Sequence, residues 1–489
     1  MAPPDFLNLL DCPASNVAVE SAEQSVSYSL LGSSVRAVAG ALSGHGVCAG
    51  DRVAVMLPNS VAAVQIYLAC AGIGAIWVGV NPGAPAAERD RQCSLVDPKL
   101  VVTASELSSA PPTGRVVLWS ALHAEDSAPY DRAWPDIDEP CAIGFSSGTT
   151  GTPKALVHSR RGVSLTAAAY ADARLRRDDR VGVILPMSIH NLIVAGALPA
   201  LFAGATCVAV DQMNAAGVAA ACGESHLTTL SALVPATIYD LVHDQAITPD
   251  MLSTLRMAGT GAAGLAETLR SAFETKFGVR LIGSYGMTEA PGVLCVEDPD
   301  EPHRAGSSGG PLSHVVVEAS DARGHPLPAH REGELVVRAA SAGAWPNQYR
   351  PAIGTWTEQG LVPRSTAQQD LRTGDYGWID DGGAIHVTGR KADVLIRGGV
   401  NVNAAELESV LGQLPAIRGI AVIGEPDERL GQRIVAYVEL ATNAVADPAE
   451  LRELARGVLA HGKVPDEFVI GVLPRNAMGK VARAQLCRR

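Results

Sequence analysis

The chain has 489 residues, of which 47% are hydrophobic and 18% charged, and its net charge is −12. This length exceeds what a single hydrophobic core supports and the composition excludes a disordered chain, so two or more globular domains are expected. The acidic balance argues against nucleic-acid binding, and nine cysteines without a Cys-x-x-Cys pair fit reduced thiols in a cytoplasm better than a disulfide framework.

The N-terminal Met-Ala-Pro-Pro-Asp-Phe lacks the basic and apolar regions of a signal peptide. Residues 61–80 carry no charge and are long enough to cross a bilayer. Gln65, Gly72, Gly74 and Gly79 interrupt them, so a helix over 60–72 and a strand over 75–80, buried in an α/β layer, are expected instead of membrane insertion. A strand over 53–57 precedes them. Further along, a strand at 181–185 leads to a helix at 191–203 and a strand at 206–210. A helix near 214–222, a strand near 227–230 and a helix at 234–243 follow, and a strand at 279–283 ends before Tyr285. Such alternation predicts mainly parallel sheets covered by helices, with ligands at the carboxyl ends of the strands. After about residue 310, short strands at 315–318, 333–338 and 384–387 predict a β-rich subdomain, while 340–370 yields no assignment. From Arg390 a compact α+β unit is expected, with helices at 404–412 and 448–459 and strands at 418–424 and 432–440.

The most informative stretch is Phe145-Ser-Ser-Gly-Thr-Thr-Gly-Thr-Pro-Lys154. Glycines permit close backbone approach, and hydroxyls, N–H groups and an ammonium offer donors to a polyphosphate. The spacing is not that of the Gly-x-x-x-x-Gly-Lys-Ser/Thr loop, and Pro153 and Ala155 flank the lysine. On composition alone, such a cluster equally marks a surface loop.

This decapeptide resembles the phosphate loop of the adenylate-forming enzymes, which include acyl-CoA synthetases, peptide-synthetase adenylation domains and luciferases. Gly283-Ser-Tyr-Gly-Met-Thr-Glu289, Arg372-Thr-Gly-Asp375, Gly389-Arg-Lys-Ala-Asp393 and Pro474-Arg-Asn-Ala-Met-Gly-Lys480 resemble later motifs of that family, in family order. The closest likeness in motifs is to the acyl-CoA synthetases. The resemblance implies a large N-terminal domain over 1–389 and a small, mobile C-terminal domain over 390–489, with a hinge near 390–392.

It also implies a reaction in which a carboxylate attacks the α-phosphorus of ATP and pyrophosphate leaves. A carboxylate is already ionised near neutral pH, so cations and oriented donors, not a general base, must supply the catalysis. By resemblance, Ser146, Ser147, Gly148, Thr149, Thr150, Gly151 and Lys154 cradle the β- and γ-phosphates. Thr288 meets the α-phosphate, and Glu289 binds a Mg2+ ion. Tyr285, within Tyr285-Gly286-Met287, stacks on adenine opposite Gly261-Ala262-Ala263. Asp375 and Arg390 hold the ribose, and Lys480 bridges acyl carboxylate and α-phosphate. Ile189, His190, Gly283 and Ser284 are the expected substrate pocket. Gly398 and Gly399 line the passage for the thiol of CoA or of a carrier protein's phosphopantetheine.

Three positions depart from the family pattern. Ala392 replaces the polar hinge pivot. Pro186-Met-Ser-Ile-His190-Asn191 puts Ile189 at the gate and the histidine one place late. Gly264 replaces a proline. His190 either faces the carboxylate or is an ordinary core histidine. No carboxylate for a substrate ammonium occurs among Ser188, Ile189 and Asn191, which disfavours an amino-acid substrate. The expected activity is an AMP-forming acid–thiol ligase making an acyl-CoA from a small or aryl carboxylic acid, and a homodimer is compatible with it. The alternatives are a free-standing enzyme that loads a carrier protein, and AMP activation of an unusual oxyanion with a non-thiol acceptor.

Overall fold

The computed structural model describes all residues except 1, 108–109, 125–127, 147–153, 262–264, 366–369, 391–393, 398–399, 428, 442–443, 477–480 and 487–489. Two large sheets dominate it. In one, six strands run parallel in the order Arg280–Met287, Met257–Gly261, Thr229–Leu233, Arg180–Val183, Thr206–Ala209, Val17–Glu20, with antiparallel strands at both edges. The other has a parallel run Pro140–Ser146, Ile76–Gly79, Arg52–Met56, Leu100–Thr103, Arg115–Leu118. The antiparallel strands Lys154–Ser159, Gly354–Thr357 and Gly360–Pro363 extend it. The expectation of mainly parallel, helix-covered sheets is met.

The uncharged stretch is buried, as expected. It forms the helix Val61–Gly72, started by the Ser60 hydroxyl accepting from Ala63 N–H at 3.2 Å, and the strand Ile76–Gly79. All twelve residues of this helix are buried. It is apolar all round because it lies between two sheets. One continuous core joins its side chains to Val53, Val55 and Trp77 of one sheet and Val19, Val181 and Val183 of the other. Among the described residues no helix is long and apolar enough to cross a membrane.

Asn59, immediately before the Ser60 cap of that helix, ties the sheets together. Its amide donates to Val183, Leu185 and Val210 carbonyls at 3.1, 3.0 and 2.9 Å, and its oxygen accepts from Met187 N–H at 2.8 Å. Gly79 allows the same approach, since a Cβ there would lie 1.9 Å from the Ser188 carbonyl oxygen. The carboxyl ends of the two parallel runs therefore converge on the loop 184–189.

Two sequence expectations are corrected here. The helix over 191–203 is two short helices, His190–Val194 and Ala197–Phe202. Gly196 breaks it by packing against the neighbouring strand, where a Cβ would meet Leu192 O at 2.6 Å and Val183 Cγ1 at 2.9 Å. The strand expected to end at 283 continues through Tyr285 to Met287. It is supported by antiparallel pairing with Gly292–Val296, in which Tyr285 faces Cys295. The unassigned 340–370 region supplies the hairpin Gly354–Thr357/Gly360–Pro363 beside the Lys154 strand.

A four-stranded antiparallel sheet, Val315–Ser320, Gly333–Ala339, Leu371–Ile379 and Ile385–Arg390, forms the expected β-rich part. Beyond it, strands at Val394–Arg397, Val400–Asn403, Ile417–Asp427, Gly431–Leu440 and Glu467–Ile470 form a separate sheet. Helices Ala404–Leu411 and Pro448–Val458 cover it, the latter opened by an Asp447–Glu450 capping box.

Asn59→Ala leaves one N–H and three carbonyls without this partner in the dry seam between sheets. It is expected to lower the unfolding free energy by about 3 kcal/mol, measured as a lower urea midpoint at unchanged slope.

Candidate active site

The candidate residues collect where the two sheets converge. Ser146 ends its strand and Lys154 begins the next, and the two are direct antiparallel partners. The connection between them, with Ser147, Gly148, Thr149, Thr150 and Gly151, lies outside the described residues, as do Ala262, Ala263, Gly264, Ala392, Gly398, Gly399 and Lys480. Lys154 is exposed at the mouth of this hairpin.

Thr288 and Glu289 sit in the turn that joins Arg280–Met287 to Gly292–Val296. Glu289 is thus in a hairpin turn. Gly292 adopts φ 112°, a left-handed value that glycine favours, and a Cβ on Gly286 would strike Gly292 O at 2.1 Å. Gly144 brings this turn against the Ser146 strand, because a Cβ there would meet Thr288 Cγ2 at 3.0 Å and His190 Cβ at 3.2 Å. Asn191 Nδ2 donates to Thr288 Oγ1 at 3.3 Å. In the sequence Asn191 carries no local mark of this contact with Thr288. Its adjacency to His190 was the one signal available.

Asp375 is the best-defined anchor. It is 3% exposed. Its Oδ2 accepts from Tyr285 OH at 2.6 Å and its Oδ1 from Arg390 Nε at 2.9 Å. Thr373 Oγ1 accepts from Asp375 N–H at 3.0 Å, and Gly374 takes φ 73° in between. Asp375 and Arg390 are facing residues of neighbouring strands. Three positions that lie far apart in the chain, Tyr285, Asp375 and Arg390, therefore form one hydrogen-bonded group. Burial, with the Asp375 carboxylate next, pushes the Tyr285 hydroxyl up, so it remains a donor and its ring is fixed by its tip.

The four residues expected to line a substrate pocket do not share one face. Ser284 Oγ donates to Thr260 O at 3.2 Å and faces Gly261, where a Cβ would lie 2.7 Å from it. Gly283 instead turns toward a structural network. Its N–H bonds to Glu297 Oε2, and a Cβ would lie 2.9 Å from the same atom. Alternate residues of a strand face opposite sides, which separates Gly283 from Ser284. Ile189 is partly exposed and caps the helix that His190 opens.

His190 is 2% exposed and lies in the core. Its ring stacks on that of His158, with centroids 4.4 Å apart and planes 4° apart, and its Nε2 is 3.4 Å from Tyr67 OH. Neither ring nitrogen of His158, nor Nδ1 of His190, has a hydrogen-bond partner among the described residues. Burial lowers the His190 pKa to about 3. Burial, then the neighbouring His190 ring, lowers that of His158. Both imidazoles are therefore neutral near neutral pH. His158 escaped the sequence reading because a strand histidine carries no local mark of its partner.

The donor set at the Thr288–Glu289 turn suits a hard cation. Glu289 is partly exposed, its carboxylate has no partner among the described residues, and these contain no cluster of three metal-ligating side chains. One carboxylate with phosphate oxygens and water is the ligand set that Mg2+ accepts.

Residues 11–343 match the family described as AMP-binding enzyme, and residues 406–480 match its C-terminal domain. The chain belongs to the AMP-binding enzyme family. It is 30% identical to an indoleacetate–CoA ligase of Aromatoleum aromaticum, over 95% of this chain and 93% of that protein. Among solved structures it resembles ATP-bound MatB of Rhodopseudomonas palustris, at 26% identity and a TM-score of 0.86, covering 98% of this chain and 97% of that one. The apo form of the same protein superposes with a TM-score of 0.75, at 25% identity over 99% and 98% of the two chains. The amide bond synthetase McbA of Marinactinospora thermotolerans is 28% identical, with a TM-score of 0.81 over 98% of both chains.

Two outcomes are expected of this site. Asp375→Asn weakens a charge-assisted anchor, so the KM for ATP rises about tenfold while that for the acid changes less than about twofold; steady-state kinetics with each substrate varied checks this. The second concerns His190 and a buried histidine elsewhere in the core, His314, whose Nε2 lies 3.4 Å from Thr166 Oγ1. His190 and His314, both pushed down to about 3 by burial, bind a proton first in the unfolded chain, where the pKa is about 6.5. Stability is therefore full above that value and falls as pH drops toward the folded pKa. Each residue should remove about 2 kcal/mol of unfolding free energy between about pH 7 and pH 5, and replacing either with Gln should flatten the slope in urea titrations.

Proposed function

We propose that this protein converts a small or aryl carboxylic acid into its acyl adenylate and then passes the acyl group to the thiol of CoA. The observation that carries the reading is the Tyr285–Asp375–Arg390 group beside the Thr288–Glu289 turn and the Ser146/Lys154 hairpin. A ring fixed by its tip and a buried carboxylate are suited to adenine and ribose. The exposed Lys154 cation and the partly exposed donors are suited to the triphosphate. The likeness to an indoleacetate–CoA ligase over nearly the whole of both chains supports an aryl-bearing acid and CoA.

In the first step a carboxylate oxygen bonds to the α-phosphorus and the bond to the bridging oxygen of pyrophosphate breaks. Both reactants are anions, so stabilisation is electrostatic. Lys154 and the hydroxyls of the 146–150 stretch hold the leaving phosphates, Thr288 orients the α-phosphate, and Asn191 orients Thr288. Lys480 meets the attacking carboxylate. Glu289 would hold a Mg2+ ion, which supplies charge neutralisation of the phosphates when bound. In the second step the thiol sulfur attacks the acyl carbon, AMP leaves, and the thiol proton passes to solvent. A turn of the small domain about 390–392 between the steps would exchange Lys480 for the loop of Gly398 and Gly399.

A second reading, in which an amine is the final acceptor, is supported by the likeness to an amide bond synthetase and by the altered Ile189 and Ala392 positions. Supplying ATP, indoleacetate and either CoA or an alkylamine, then weighing the products by mass spectrometry, separates the two. An acyl-CoA product is expected. Amide with no thioester would overturn the CoA reading, and ATP cleavage to ADP would overturn both. Lys480→Ala should slow acid-dependent pyrophosphate exchange about 100-fold or more while the protein stays folded, as read by radiolabelled exchange and circular dichroism.

A further inference from the structure

Arg418 belongs to the Ile417–Asp427 strand of the C-terminal sheet, yet its guanidinium reaches the Pro235–His243 helix of the large unit. Its Nη2 donates to Asp240 Oδ1 at 2.7 Å, and its Cζ lies 5.4 Å from the centroid of the Tyr239 ring. That ring stacks on His243, with centroids 3.9 Å apart, and so forms a fixed platform. On the other side Arg418 Nη1 donates to Glu439 Oε1 at 3.0 Å, and Glu439 Oε2 accepts from Arg475 Nη2 at 3.1 Å. Glu439 is 12% exposed, so this inner pair is shielded from salt. Arg475 in turn makes an antiparallel bridge with Val481. Lys480 is in the five-residue connection that this bridge closes. A continuous chain of charged contacts thus runs from the large unit, through Arg418, to the base of the segment that bears Lys480.

We propose that Arg418 is a positioning residue that latches the small unit to the large one for adenylate formation. This rests on the role given above to Lys480. Arg418 touches no reacting atom. It shares one planar cation between two carboxylates, Asp240 on one unit and Glu439 on the other, and its rigid fork fixes their relative placement in a way a flexible ammonium would not. The cation over the Tyr239 ring adds an attraction that exists only while the units are docked. Breaking the latch shifts the population of docked molecules without removing any group from the site. Adenylate formation then suffers and the thiol step does not. The better superposition on ATP-bound than on apo MatB fits an arrangement of the nucleotide-loaded kind.

The test uses the full chain with indoleacetate and 4-coumarate as probes. Acid-dependent pyrophosphate exchange reads the first half-reaction, and thiolysis of synthetic indoleacetyl-AMP by CoA reads the second. Arg418→Ala and Asp240→Lys are expected to slow exchange about tenfold or more, with thiolysis within about twofold of wild type and exchange recovered in Asp240→Glu. Asp240 is half-exposed on a helix, so Asp240→Lys keeps the test valid where Arg418→Ala does not fold. Unchanged exchange in Asp240→Lys would overturn the latch, and so would an equal loss in both half-reactions. If the wild-type protein exchanges pyrophosphate with neither probe nor any other acid, the activity itself fails and the latch with it.

Discussion

Two open parallel sheets share one uncharged helix, Val61–Gly72, and the rest of the molecule is arranged around that packing. A helix buried on every side cannot be satisfied by one sheet, so both must close on it, and their carboxyl ends are then brought to the same seam. Hydrophobic burial drives the closure, but it has no direction. The direction comes from polar contacts at the seam, chiefly the four hydrogen bonds of Asn59, and from Gly79, which lets the 184–189 loop lie on the opposite strand.

The seam has a polar half and a dry half. Toward solvent, Lys154, Thr288 and Glu289 offer the charge and donors that a polyphosphate needs. Beneath them, Gly144 brings the Thr288 turn onto His190, and His190 stacks on His158 in an interior where both rings are held neutral. A neutral, desolvated floor strengthens the field of the few charged groups above it. Separately, Asp375 joins the hydroxyl of Tyr285 to the guanidinium of Arg390 across two sheets. Arg390 is also the first residue of the expected 390–392 hinge.

Much of this was legible in the residues. The alternation of short β-branched runs with helical stretches gave the parallel sheets, and the Ser146–Lys154, Tyr285–Glu289 and Asp375 motifs gave the family. The misreadings have local causes. Ser284-Tyr-Gly-Met287 looks like a loop because of its glycine and serine, but pairing with Gly292–Val296 holds it extended. Residues 191–203 have helical composition throughout, but Gly196 is taken out of the helix by its contact with Val183.

What the chain order alone determined was the family, from motifs whose residue types and order of arrival mark it. Those are local motifs, and short-range backbone preference with residue type is enough to mark them. Only the tertiary structure decided that Tyr285 hangs from Asp375, that His190 belongs to the core, that Gly283 faces Glu297, and that Arg418 grips Asp240. Each of these joins residues distant in sequence, and a contact of that kind depends on the closing of the sheets, which no single segment encodes.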